Sequence, residues 1–260
     1  PGWDWRAEVS FIIAVAGKGG TGKTTLSGLL IRTLVKRKKG PILAVDADAN
    51  SNLPQTLGLK ADKSIGLARE EFFESRLKIP AGMPKEAFLE TQLHDLLVER
   101  KDFDLLVMGR PEGPGCYCYI NNILRRFLDI LVDNYPYSII DNEAGMEHLS
   151  RRTTKGVDIL FIVSDHSLRG IETAFQIKSL AHDLNLEIKR YGLIVNRVKG
   201  SPDPSILDRV QKRGLELTGI IPEDEQITGF ELKGTTLMDL PDDSPAVVAV
   251  DKIVERLNLP

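Results

Sequence analysis

Apolar positions along the chain fall into short, β-branched-rich runs separated by stretches of helical period. Residues 11–16 (FIIAVA) form the first run and end in a glycine cluster, and residues 24–36 follow with Leu26, Leu29, Leu30 and Val35 at helical spacing. The order predicted is strand, glycine-rich loop, helix. Runs at 42–45, 104–108, 138–140, 159–163, 191–195 and 217–221 read as further strands, and helical-period segments such as 171–184 and 246–257 accompany them. Near-continuous apolar strands alternating with helices predict an α/β fold, a mostly parallel sheet of about seven strands with helices on both faces.

No internal repeat, low-complexity tract or long linker divides the chain. Residues 11–260 therefore read as a single domain, and 1–10 as an N-terminal extension or an expression remnant. Pro80, Pro84, Pro111 and Pro114 interrupt the pattern between about 60 and 122, the expected place of an irregular insertion. The chain is 42% hydrophobic and 27% charged, within the ordinary globular range, so a packed core is expected. A net charge of −3 argues against nucleic-acid binding by bulk charge. There is no uncharged apolar run long enough to span a bilayer, and residues 1–10 lack the apolar core of a signal peptide. A cytoplasmic protein with no membrane partner is the expectation.

Chemistry enters with Gly17-Lys18-Gly19-Gly20-Thr21-Gly22-Lys23-Thr24, which satisfies the phosphate-loop pattern G-x-x-x-x-G-K-[ST] between a strand and a helix. Glycines let successive N–H groups face phosphate oxygens, Lys23 reaches the β and γ oxygens, and Thr24 offers a hydroxyl to Mg²⁺. ATP or ADP with Mg²⁺ is the expected cofactor set. The pattern leaves the position of Lys18 free, and its ammonium has three destinations: solvent, its own nucleotide, or a nucleotide in a second subunit. In an open parallel sheet ligands bind beyond the carboxyl ends of the strands, which makes Asp46, Asp48 and Asp141 candidates for metal or water positioning. Asp141 precedes Gly145 in a D-x-x-x-G arrangement suited to Mg²⁺ held through water. A helix N-cap is the competing reading for all three, and for Asp46 it stands level with a second-sphere Mg²⁺ role. Asn196 ends one late strand and Pro222 another; an asparagine amide can read a purine edge, though a strand-end asparagine is also a common turn former.

The phosphate loop, with Lys18 added to it, resembles the deviant Walker ATPases, which include MinD, ParA, the arsenite and tail-anchored-protein ATPases and the nitrogenase iron protein. That resemblance implies a P-loop NTPase fold of the SIMIBI kind, a homodimer, and a Lys18 that acts across it. It further implies that Gly17, Gly19, Gly20, Thr21, Gly22, Lys23, Thr24 and Thr25 bind the nucleotide. Asp48 would orient the attacking water, Asn196 would contact adenine and the Pro222 loop would cover the ring, making Lys18, Lys23 and Asp48 the catalytic set.

Cys116 and Cys118, the chain's only cysteines, sit in the irregular stretch as Gly-Cys-Tyr-Cys. Buried structural thiols, a local redox pair and a two-thiolate metal ligand set are all compatible with that spacing. Two such motifs meeting on a dimer axis would supply four thiolates, a closed tetrahedral site. Together with A-V-D-A-D, the run at 141–149 (DNEAGMEHL) and V-N-R, the motif is similar to the CooC family. That likeness implies nickel insertion into carbon monoxide dehydrogenase or acetyl-CoA synthase, with the apo-enzyme as partner and Ni²⁺ or Zn²⁺ held by Cys116 and Cys118 of two subunits. Alternatives are a ParA/MinD-like positioning switch that binds DNA or membrane, and an iron–sulfur electron donor. His94, His148, His166 and His182 show no ligand-like pairing.

Overall fold

A computed structural model describes residues 10–68, 91, 93–109, 127–143 and 156–259. In chain order the elements are β1 (Phe11–Gly17), α1 (Lys23–Lys36), β2 (Ile42–Ala47), α2 (Leu53–Thr56), β3 (Val98–Glu99), β4 (Phe103–Val107), β5 (Tyr137–Asn142), β6 (Val157–Ser164), α3 (Leu168–Asp183), β7 (Ile188–Val198), α4 (Pro204–Lys212), β8 (Glu216–Pro222), α5 (Glu225–Lys233), a 3₁₀ turn at Leu237–Asp239, and α6 (Pro245–Arg256). They build one eight-stranded sheet in the order β3-β4-β2-β5-β1-β6-β7-β8, parallel at every pairing except β3 with β4. The expected architecture is the one observed. The strand beyond the seven expected is β3, two residues long and too short to leave an apolar pattern. Residues 98–107, inside the stretch expected to be an irregular insertion, supply β3 and β4 to this sheet.

Strand periodicity divides the core into two layers. Phe11, Ile13 and Val15 of β1 point to the face covered by α1 and α6, whereas Ile12, Ala14 and Ala16 point to the face that α3 and α4 share. Burial on both faces is why β1 reads as a continuous apolar run. α6 lies directly on β8: a Cβ added to Gly219 would come within 2.3 Å of Ile253 Cδ1 and force that side chain to shift. Two cations at the end of α1 are paired with the C-terminal part of the chain. Lys36 and Arg37 bridge to Asp242 and Asp251 at 3.4 and 2.8 Å.

Because β1 lies between β5 and β6, its carboxyl end opens where the chain crosses from one half of the sheet to the other. Crevices of this kind are where open α/β sheets bind ligands. Residues 18–22 leave β1 there and turn straight into α1.

Candidate phosphate-binding site

The loop from Gly17 to Lys23 is closed on itself by Lys18, whose carbonyl accepts from the Thr21 N–H at 3.3 Å, the Thr21 hydroxyl at 2.8 Å and Lys23 Nζ at 3.4 Å. Gly22 caps α1 with φ of 90°, a left-handed conformation, and a Cβ there would stand 2.3 Å from Asn196 Nδ2. The first intrahelical bond is Leu26 N–H to the Gly22 carbonyl at 2.9 Å. Among the described residues no group accepts from the N–H of Gly22, Lys23, Thr24 or Thr25. Four unpaired donors at the positive end of a 14-residue helix, with the Lys23 ammonium held on the Lys18 carbonyl, form an anion cradle.

Carboxylates line the neighbouring strand ends. Asp46 and Asp141 are register partners on β2 and β5, 0% and 1% exposed. Asp46 accepts from the N–H groups of Asp48 and Leu53, both at 3.0 Å, which folds the segment after β2 back on the strand end. Burial, then repulsion from Asp141, push its pKa up to about 7 against those two bonds. Asp141 accepts from the Ser27 hydroxyl at 3.1 Å, and the Thr24 hydroxyl also favours its ionised form. Burial raises it to about 6, opposed by those hydroxyls and by the Lys23 charge. Hard oxygen donors from Thr24 and Asp141, in a pocket with an excess of buried negative charge, suit Mg²⁺.

Asp48 is half-buried, and its carboxylate accepts from the Asn50 N–H at 2.8 Å and the Asn50 side chain at 3.1 Å. Lys18 is exposed. Burial pushes the nearby Asp165 up, but bonds from Ser167 and attraction to Lys18 and His166 hold it below the ordinary carboxylate range. Asn142, beside Asp141, donates to the Val15 carbonyl at 3.0 Å and so pins β5 to β1.

From the other half of the sheet, Asn196 is 6% exposed and donates Nδ2 to the Thr21 carbonyl at 2.8 Å, while its Oδ1 accepts from the Arg197 N–H at 2.9 Å. Arg197 donates Nη1 to the Gly20 carbonyl at 3.2 Å. Thus Gly17 to Thr25, Asp46, Asp48, Asp141 and Asn196 converge on the carboxyl end of the sheet, and Pro222 ends β8 beside Val198 on the same side. Arg197, Asp165 and Ser27 also belong there, and sequence reasoning missed them. Only Arg197 carried a signal, its place in the V-N-R run.

Cys116 and Cys118 lie outside the described residues, as does His148. The expectation of a nickel or zinc site between subunits is corrected. Among the described residues no group of three or more His, Cys, Asp or Glu side chains could hold a metal. The metallochaperone reading and its dehydrogenase or synthase client fall with it. No described helix is long and apolar enough to cross a membrane.

Comparison with known proteins follows the same lines. Residues 12–237 match the family model of the CobQ/CobB/MinD/ParA nucleotide-binding domain. The chain is 46% identical over 248 residues to an uncharacterized ATP-binding protein of Methanocaldococcus jannaschii, covering 95% of this chain and 98% of that one. It is 35% identical over 251 residues to the carbon monoxide dehydrogenase accessory protein CooC of Rhodospirillum rubrum, covering 90% of each. That likeness runs along the same nucleotide-binding scaffold and does not single out nickel insertion. A ParA family ATPase from Chlorobium tepidum superposes with a TM-score of 0.71 at 20% identity, over 96% of this chain and 99% of that one, a shared fold.

Proposed function

The chain belongs to the CobQ/CobB/MinD/ParA nucleotide-binding domain family, and from that premise we propose that it is a switch ATPase of the MinD/ParA type, in which bound nucleotide sets whether two copies associate. The observation that carries this reading is the cradle of unpaired N–H groups from Gly22 to Thr25 together with Lys23, built beside the buried Asp46–Asp141 pair. A polyphosphate chain laid along α1's N-terminus gains those donors and the helix dipole.

Each residue has a part in that proposal. Lys23 neutralises the β and γ oxygens. Thr24 and Asp141 hold Mg²⁺, which supplies charge neutralisation on the phosphates when bound, and Asp46 keeps the segment carrying Asp48 folded against the strand ends. Asp48 orients water toward the terminal phosphate. Lys18, exposed at the loop's tip, reaches the nucleotide of the partner subunit, where a cation stabilises the charge that develops on the transferred phosphoryl group. Asn196 and the Pro222 loop border the base.

The test is ATP hydrolysis by the purified chain together with its sedimentation in ADP and in a non-hydrolysable ATP analogue. A monomer in ADP, a dimer in the analogue and Mg²⁺-dependent phosphate release are expected. A sedimentation coefficient that ignores nucleotide overturns the switch. Cosedimentation with DNA and with liposomes in each nucleotide state then tells which surface the switch serves.

A further inference from the structure

β7 does something at its end that a regular strand cannot. Consecutive side chains of a strand point to opposite faces, yet Asn196 and Arg197 both bond to the phosphate loop, to the carbonyls of Thr21 and Gly20. The pairing of β7 with β8 shifts register between Val195 and Val198, and Arg197 takes φ of 56°, left-handed and uncommon for a residue with a side chain. This bulge re-aims the two neighbours onto one target. The Asn196 amide is also locked at both ends, since its Oδ1 receives the Arg197 N–H.

We infer that Asn196 and Arg197 form a clamp that sets the peptide planes of the phosphate loop, so that β7 governs phosphate binding directly and not only through contact with a base. This rests on the loop being the phosphate site proposed above. In a trans peptide the C=O and N–H point in opposite directions. Holding the Thr21 carbonyl against Asn196 therefore aims the Gly22 N–H the other way, and that N–H is one of the unpaired donors of the cradle. Holding the Gly20 carbonyl with Arg197 fixes the preceding peptide, whose Thr21 N–H closes the loop on Lys18. Gly22 completes the fit, because a Cβ there would displace the Asn196 amide. Asn196 and Arg197 are positioning residues in this scheme: they act through the loop.

Inorganic tripolyphosphate separates the clamp from a base contact, because it has phosphates and no base. Calorimetric titration of tripolyphosphate and of ATP is run on the wild type, on Asn196→Ala, and on Arg197→Gly, which keeps the left-handed backbone and removes the guanidinium. Asn196→Ala is expected to weaken tripolyphosphate about tenfold, equivalent to about 1.4 kcal/mol, and to weaken ATP by at least that factor. Arg197→Gly should weaken both probes about threefold in high salt, where the loss of one exposed charge is screened and the lost bond remains. Should Asn196→Ala lower the thermal midpoint, the Arg197→Gly result decides. Unchanged tripolyphosphate affinity in folded Asn196→Ala, with ATP alone weakened, overturns the clamp and leaves Asn196 a base contact. Wild type that binds neither probe overturns the phosphate site itself, and the clamp with it.

Discussion

Asp46 and Asp141 end neighbouring strands in register, two carboxylates buried side by side with the Lys23 ammonium acting on one of them. Such a pair costs stability whenever both are ionised, because each is shielded from water and repels the other.

That cost has a sign and a window. Burial and the neighbouring carboxylate raise Asp46 from 3.8 to about 7 in the folded chain. Between those values the folded state holds a proton that the unfolded state has released, so this group's contribution falls as pH rises through the window and is at its lowest above about pH 7. Urea midpoints of the nucleotide-free protein, taken from pH 5 to 8 for wild type and Asp46→Asn, should diverge by an amount equal to on the order of 2–4 kcal/mol. The wild type loses stability with pH and the variant loses less. Parallel curves would show that Asp46 titrates normally.

The phosphate loop and the parallel sheet were legible in the sequence because each rests on local pattern: residues 17–24 match a spacing rule, and buried strands leave apolar runs. β3 was not, since Val98 and Glu99 carry no periodicity and pair only because Asp104 and Leu105 lie opposite. The clamp was equally hidden. A bulge between Val195 and Val198 depends on pairing with β8, so no spacing in the chain announces that Arg197 turns toward Gly20. The Cys-x-Cys motif misled for the opposite reason: a spacing that suits chelation specifies two ligands, and the rest of a metal site has to come from tertiary structure.

Lys23 is 7% exposed with its ammonium on the Lys18 carbonyl, so in the proposed function Lys23→Ala removes the principal cation for the phosphates. Affinity for Mg-ATP should fall about a hundredfold, in line with loss of charge-assisted bonds worth roughly 1.5–3 kcal/mol. The melting temperature without nucleotide should fall as well, because the Lys23 charge offsets that of the buried Asp141. A fluorescent ATP analogue measures the first and calorimetry the second; retained affinity would move the site away from α1.

Arg32 tests the packing that supports α1 from behind. Its guanidinium is 3% exposed, donates to the Leu240 carbonyl and pairs with Asp242, while its Nε has no partner among the described residues. Arg32→Ala leaves the Leu240 carbonyl short of a donor and opens a cavity, at an expected cost of about 2–4 kcal/mol. Asp242→Ala should cost far less, because that carboxylate is exposed and water replaces its role. Chemical unfolding distinguishes the two. Equal losses would mean the ion pair, rather than the buried carbonyl bond and packing, carries the contact.

The proposed action of Lys18 across a dimer is open to a mixing test. Lys18 is exposed at the tip of the loop, and Asp48 is half-buried beside Asp46 on the other side of the cradle. Asp48→Asn keeps its shape and loses the charge that orients water, so it should bind Mg-ATP and dimerise while hydrolysis falls at least tenfold. Lys18→Ala should likewise bind and fail to hydrolyse. If Lys18 serves its own subunit, every site in a mixed dimer contains one defect and the mixture stays inactive. If it serves the partner, one of the two sites combines the intact Asp48 of one subunit with the intact Lys18 of the other. Each heterodimer then recovers one of two active sites, and with half of the dimers mixed the pool should regain about a quarter of wild-type turnover. Phosphate release from the mixture, with heterodimer content measured by differently tagged subunits, decides between them: abundant heterodimer without recovered hydrolysis rules out the trans assignment.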